Sequence, residues 1–148
     1  MNISQKCQYA VRSVLELAKR YGAGPIAIGE IASKQAIPPR FLEIILNELK
    51  GGGFVQSRRG VQGGYLLAKP PKEITVGEVI RFVEGPLEPV KCMSEKKPSC
   101  PLNGQCALLA LWKRAKEAVE GVYDSTSFQD LADQEAAMDL ARTVDFSI

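Results

Sequence analysis

The feature that most limits what this chain can fold into is one unbroken stretch, Pro39 to Lys69. It holds a helix-forming run, three consecutive glycines, and two strand-forming runs around a glycine-rich tip. Leu42, Ile45, Leu46 and Leu49 fall at i, i+3, i+4 and i+7, the spacing of one buried helix face. Pro39 suits the first helical position, where its missing N–H costs nothing, so the spacing predicts a helix over about Pro39–Lys50. Arg40, Phe41, Glu43, Ile44, Asn47 and Lys50 are left facing out. Gly51-Gly52-Gly53 stops the helix, and FVQSRR and YLLAK then flank GVQGG, a strand, tip, strand pattern. A shorter helix is expected over about Glu30–Gln35, with Ile31 and Ala32 inward and Ile37-Pro38-Pro39 as the turn between the two. Two short helices, a tight turn and a two-stranded ribbon make a winged helix-turn-helix.

Such a unit suits duplex DNA. Arg40 can reach phosphate or guanine, Asn47 can pair with adenine, and Phe41 or Ile44 can meet a thymine methyl. Glu43 opposes phosphates unless it accepts a hydrogen bond from a cytosine amine. Lys50 adds a phosphate contact. At the tip, Arg58, Arg59 and Gln62 stand beside Gly63 and Gly64, where slim backbone lets a cation enter a narrow minor groove. An ordinary helical hairpin with a solvated ribbon has the same local periodicities, and it is the order of elements that argues against it. Charge agrees. Residues 1–70 carry ten Lys/Arg and four Asp/Glu, a net +6, whereas residues 71–148 carry nine and thirteen, a net −4. A basic front half on an acidic rear half suits a polyanion-facing surface joined to a sensing or assembly region.

Ahead of this unit, Ser4 is a plausible cap for a first helix ending near Arg20, with Ile3, Cys7, Val11, Val14, Ala18 and Tyr21 as its buried stripe. Behind it, Lys69-Pro70-Pro71-Lys72 is a stiff linker. Thr75 and Glu78 spell a capping box for a helix with Val76, Val79, Ile80 and Val83 on its apolar face. From about Gln105 a long helix carries Leu108, Leu111, Trp112, Ala115, Val119 and Val122 at coiled-coil-like spacing, expected to be a dimer seam. Ser127 caps a short final helix, and beyond Ala132 the sequence fades into a weakly helical tail.

Several function classes are excluded. Histidine is absent, which removes Ser-His-Asp triads, Cys-His dyads and histidine-ligated metals. No glycine loop precedes a helix as a phosphate cradle requires, so the chain is not expected to be an enzyme. The apolar run Ala107–Trp112 falls far short of the ~20 residues that cross a bilayer, so no membrane partner is expected. The N-terminus lacks the h-region of a secretory signal, which makes the expected location cytoplasmic.

In a reducing compartment the four cysteines point to metal or thiol chemistry rather than disulfides. Cys92, Cys100 and Cys106 are separated by seven and five residues in a proline-containing loop that runs into the long helix. Thiolates are the usual protein ligands of iron–sulfur clusters. Structural zinc generally uses pairs two to four residues apart, a spacing missing here. Zinc and plain redox thiols remain as alternatives on spacing alone.

Together these segments resemble the bacterial iron–sulfur cluster regulator family, the IscR/NsrR/CymR-like winged-helix transcription regulators. The resemblance rests on the opening MNIS and YAV, on FLEIILNELKGGGFVQSRRGVQGGYLLAK, on ITVGEVIRFVEGPLEPV, and on the cysteine loop running into ALLALW, and it covers the chain to about residue 132. It implies a mainly α fold with a small β-wing, a winged helix-turn-helix domain plus a long dimerisation helix. The implied organisation is a DNA-binding domain over 1–70, a linker and supporting helix over 71–90, a cysteine loop over 91–106, and a dimerisation helix, short final helix and tail over 105–148. The implied function is a homodimeric repressor, joined through the 105–122 helix, whose affinity for a double-stranded operator depends on a cluster at Cys92, Cys100 and Cys106. The cluster is of the 2Fe–2S or 4Fe–4S type. One branch places a ligating histidine where this chain has Leu109, and another a ligating aspartate where it has Gln8. Cys7 is therefore a candidate fourth ligand, reaching across from a partner subunit; its place on the first helix's apolar stripe also suits a plain core residue. A solvent molecule, a small thiol or a backbone group are the other candidates. EGPLEPV and DSTSFQDLA resemble a branch that binds no cluster and acts through a regulatory protein partner in cysteine metabolism. A cluster carrier and an interaction adaptor are the remaining rivals.

Overall fold

The computed structural model describes residues 2–94 and 100–146. Six α-helices and one two-stranded antiparallel sheet follow in the order α1 Gln5–Lys19, α2 Ile28–Gln35, α3 Pro39–Gly51, β1 Val55–Arg58, β2 Gly64–Leu67, α4 Val76–Glu84, α5 Leu108–Asp124 and α6 Phe128–Phe146. Short 3-10 turns occupy Pro71–Glu73 and Lys91–Met93. This is the mainly α fold with a β-wing that the pattern predicts. No helix among the described residues is long and apolar enough to cross a membrane.

Helix α1 begins where a hydroxyl can satisfy an orphan amide: Cys7 N donates to Ser4 Oγ at 3.1 Å. Its buried face is Cys7, Ala10, Val14, Leu17 and Ala18, with Ile3 and Val11 partly buried beside it. Tyr21 does not join the stripe. The helix stops at Lys19, so Tyr21 lies in the following turn and is half exposed. Sequence periodicity also misses a fully buried carboxylate, Glu16, held by Lys19 Nζ at 3.2 Å and Gln35 Nε2 at 2.8 Å. A charge buried there needs such partners, and Gln35 thereby pins the end of α2 to α1.

Helix α2 starts at Ile28, two residues earlier than expected, because the Ala27 carbonyl accepts from both Glu30 N and Ile31 N. Ile31 and Ala32 point inward as expected. In α3 the four leucine and isoleucine positions are buried and all six outward positions are exposed. The wing pairs Val55 with Leu67 through Arg58 with Gly64. It is anchored to the start of α2 by a reciprocal pair, Ile26 N to Tyr65 O at 2.8 Å and Tyr65 N to Ile26 O at 2.9 Å. Helix α4 has the full capping box of Thr75 and Glu78, and Gly85 with φ of 81° ends it. One apolar core runs from Cys7 through α3 and the wing to α4 and Phe128.

Two expectations about the rear half need correction. The long helix begins at Leu108, not near Gln105, because residues 101–105 fold into turns. In these, Asn103 N donates to Cys100 O, Gln105 N donates to Leu102 O, and Gly104 has φ of 86°. The final helix is not short: α6 has 19 residues and takes in the stretch that reads as a tail. Residues 129–142 are dense in Ala, Leu, Gln, Glu, Met and Arg, all strong helix formers, yet show no single apolar stripe. Ser127 and Asp130 start the helix by exchanging backbone and side-chain hydrogen bonds of 2.9 and 3.1 Å. Its first turns bury Phe128 and Ala132, and Lys19 of α1 ion-pairs with Glu135 at 3.1 Å.

Candidate functional site

Two surfaces carry the candidate residues. On the first, the outer face of α3 lies beside the wing. Lys50 Nζ reaches Ser57 Oγ at 2.7 Å, tying the end of α3 to β1. Phe41 and Ile44 are 58% and 57% exposed, unusual for large apolar groups on a helix with a well-filled core side. They edge a shallow concavity against α1 with Gln5, Lys6, Tyr9 and Ile45. Among the described residues Arg40, Arg58 and Arg59 form no ion pair, whereas Lys6 is matched by Glu48 at 2.7 Å. These three arginines therefore place unpaired positive charge on α3 and the wing, where it raises the local positive potential.

Gln62 is exposed at the wing tip, next to a fully exposed Val61. Gly63 and Gly64 serve the wing's own backbone. A Cβ on Gly63 would stand 2.3 Å from Arg58 O, and one on Gly64 2.2 Å from Ile26 O. Only glycine lets the hairpin close and the strand approach Ile26.

The second surface lies at the start of α5. Cys92, Cys100 and Cys106 all line one cavity of about 250 Å³. Its other walls include Met93, Asn103, Leu109, Trp112 and Lys113. Cys92 sits in the 3-10 turn after α4, Cys100 opens the turns before α5, and the Cys106 carbonyl accepts from Leu109 N in the first turn of that helix. All three thiols are free and at least partly accessible. They share one cavity, but among the described residues no three Cys, Asp, Glu or His side chains are drawn close enough to hold a metal ion as they stand. The donor set itself, three thiols around a largely apolar hollow, fits a thiolate-ligated group.

Cys7 is not brought to them. It is fully buried beneath α4, and burial, reinforced by the neighbouring Glu84 carboxylate, pushes its thiol up to about 11. A thiol so placed stays protonated and packs as a small apolar group. Two linkages that sequence reading did not find bind α5 to α4 and to the loop that leads into Cys92. Lys116 of α5 holds Glu88, four residues before Cys92, at 2.7 Å. Arg81 of α4 grips Asp124 at the end of α5 with 2.7 and 3.2 Å contacts. Met93 and Lys113 are also new to the site; only the adjacency of Met93 to Cys92 could have signalled the first.

The exposed side of α5 is ordered. Leu108, Leu111, Ala118 and Val122 face solvent, with Ala115 half buried between them, a 3-4-3-4 spacing. Leu109, Trp112, Lys116, Val119 and Tyr123 turn partly toward the chain itself. The single stripe read from sequence thus divides into two faces, with Trp112 and Val119 on the inner one.

Comparison with known proteins places this architecture. The profile of the Rrf2 family, described as iron-dependent transcriptional regulators, matches residues 3–134. The HTH-type transcriptional regulator CymR of Bacillus subtilis is 38% identical over 143 residues, covering 93% of this chain and 98% of that protein. The solved structure of CymR, the global cysteine regulator of B. subtilis, superposes with a TM-score of 0.76 at 36% identity, covering 90% of this chain and 98% of that one. The structure of T. potens IscR superposes with a TM-score of 0.73 at 32% identity, covering 91% and 88%.

Proposed function

Because this chain belongs to the Rrf2 family of transcriptional regulators, we propose that it acts as a homodimeric DNA-binding repressor whose grip on its operator is set by the state of Cys92, Cys100 and Cys106. Arg40, Phe41, Glu43, Ile44, Asn47 and Lys50 read the major groove, while Arg58, Arg59 and Gln62 hold the flanking backbone or minor groove. The two copies join along the exposed side of α5, so recognition helices enter successive major grooves about 34–36 Å apart on a roughly palindromic site. The observation that carries this reading is the gathering of the three loop cysteines in one cavity at the start of α5, beside its uncovered apolar face.

Those three thiolates would hold an iron–sulfur cluster, which supplies a centre sensitive to iron, oxidants and nitric oxide. The chain's own residues carry the consequence. Reordering of residues 91–106 would be felt at α5 through Glu88–Lys116 and at α4, which packs on α1, through Arg81–Asp124. A tenfold change in affinity requires only ~1.4 kcal/mol of differential binding.

A second reading draws on the CymR likeness, which extends over nearly the whole of both chains. In it the chain regulates cysteine or sulfur metabolism without a cluster, through thiol oxidation, zinc or a protein partner. One experiment separates them. The full chain is purified without oxygen, iron and acid-labile sulfide are counted, and duplexes selected from a random pool are bound before and after cluster loading. Iron and sulfide in matching amounts, with affinity that changes on loading and does not change in a variant lacking all three loop cysteines, are expected. A protein that takes up no iron yet binds the selected duplex in an oxidant-dependent way supports the second reading. No selectable duplex at all overturns both.

A further inference from the structure

The corner between α5 and α6 is fastened to the start of α4. Val76 N donates to Thr126 O at 2.9 Å and Phe128 N to Ile74 O at 3.0 Å, an antiparallel bridge between Thr75 and Ser127. Ile74 and Phe128 are both fully buried. Asp124, the last residue of α5, takes both arms of the Arg81 guanidinium at 2.7 and 3.2 Å. Gly77 makes room for that contact. It is buried as the second residue of α4, a place where glycine is the poorest helix former apart from proline. A Cβ there would overlap Asp124 Oδ1 and stand 3.2 Å from Arg81 Nη1. Position 77 thus gives up helix propensity and lets the carboxylate close on the helix.

The Arg81 and Asp124 side chains are 36% and 43% exposed, and ion pairs so exposed add little to stability. What a two-point contact between guanidinium and carboxylate does supply is direction. Direction matters because α5 has no fully buried residue. Among the described residues its other ion pair beyond the helix itself, Lys116 with Glu88, ends on a loop.

We propose that the Asp124–Arg81 clasp over Gly77 is a positioning device for operator recognition. It fixes the angle between α5 and the winged unit, and through that angle the spacing of half-sites that a pair of copies accepts. The proposal rests on the reading above that two copies join along α5, and it makes no use of the cysteines or of any bound group. Each base pair added between half-sites moves the second by about 3.4 Å and turns it by roughly 35°, so spacing preference reports the angle.

The test titrates the full wild-type chain, Asp124→Ala, Gly77→Ala and the double variant with the duplex selected from a random pool. Versions with one base pair more or fewer between half-sites, and a single half-site, complete the series, and each protein is also unfolded in urea. Wild type is expected to prefer the selected spacing at least tenfold. Asp124→Ala and Gly77→Ala should each reduce that preference at least threefold while affinity for the single half-site stays within twofold of wild type. Asp124→Ala removes only an exposed pair, so it decides the matter even where Gly77→Ala unfolds more easily. In the double variant the added methyl meets no carboxylate, and its preference should equal that of Asp124→Ala alone. A clasp that merely supports the fold would lower the urea midpoint and weaken binding to every duplex alike, and that result overturns the proposal. An unchanged spacing preference in Asp124→Ala overturns it too, as does a wild type indifferent to spacing. A wild type that sediments as a monomer instead overturns the α5 reading, and that result is visible before any variant is made.

Discussion

Cys7 and the loop cysteines share a functional group but occupy opposite environments, and two measurements follow. Iodoacetamide at pH 8 on the reduced, unloaded protein should add three alkyl groups quickly and the fourth only on unfolding, as counted by mass spectrometry; rapid addition of four would show that Cys7 is accessible. The Cys7 thiol lies near 9.0 in an unfolded chain and is raised to about 11 in the fold. Its contribution is therefore fully present below pH 9 and is lost as pH rises from 9 to 11, where the unfolded chain releases a proton that the fold retains. The slope is at most about 1.4 kcal/mol per pH unit. Urea titrations should show stability falling across that window in the wild type and less steeply in Cys7→Ala. On the outer face of α3, Phe41 and Ile44 are more than half exposed, and thymine methyl groups are the apolar features of a major groove. Replacing thymine by uracil in a selected duplex removes only methyl groups, each worth ~0.8 kcal/mol when buried, or about fourfold in affinity. Wild-type protein should lose affinity on that exchange, while a protein with Phe41→Ala and Ile44→Ala should not distinguish the two duplexes. Most of these residues were legible from periodicity alone. The partners of Glu16, the burial of Cys7 beside Glu84 and the arrival of Met93 in the cysteine cavity were not, because each depends on contacts between elements distant in sequence.

At the scale of elements, the parts with local signatures were the readable ones. The four apolar positions of α3, the capping box of Thr75 and Glu78, and the glycines around the wing each state their structure within a few residues. The end of Gly-rich segments proved more demanding than a flexible tip requires, since Gly64 is fixed by the approach of β2 to Ile26. Gly64→Ala should cost on the order of 2–3 kcal/mol in urea unfolding, with the wing losing its anchor before α3 is disturbed. A cost under ~0.5 kcal/mol would mean that strand and loop can separate freely. Helix α6 was misread for the opposite reason. Its propensity is high but its apolar residues form no stripe, and only its first turns have a surface to pack on. Its N-terminal cap therefore matters more than its length. Ser127→Ala should lower stability by ~1 kcal/mol, the usual cost of a lost cap, whereas removal of residues 140–148 should change it by less than ~0.5 kcal/mol.

For the whole molecule the decisive feature is the pair of faces on α5. At about 100° per residue, Leu108, Leu111, Ala115, Ala118 and Val122 centre on one side, while Leu109, Trp112, Lys116, Val119 and Tyr123 centre roughly 100° away and turn toward the chain's own body. One helix thus has a face for its own subunit and another left bare, and the bare one has the a/d spacing of a two-helix seam with small residues at its middle. The same helix starts at the cysteine cavity and ends at Arg81–Asp124, so pairing two copies would place both cavities on the element that sets the separation of the wings. The wild type is expected to sediment as a dimer, and Leu111→Glu, which puts a charge on that face, as a monomer. Ala110→Glu makes the same kind of change on an exposed position off the seam and should leave the dimer intact. Affinity for a palindromic duplex should then fall by 10²–10⁴ in the monomeric variant, because the second half-site no longer benefits from the first. Affinity for a single half-site should hardly move. Equal losses on both duplexes would instead mean that α5 supports the fold of each winged unit, and a variant that stayed dimeric would place the seam elsewhere on the molecule.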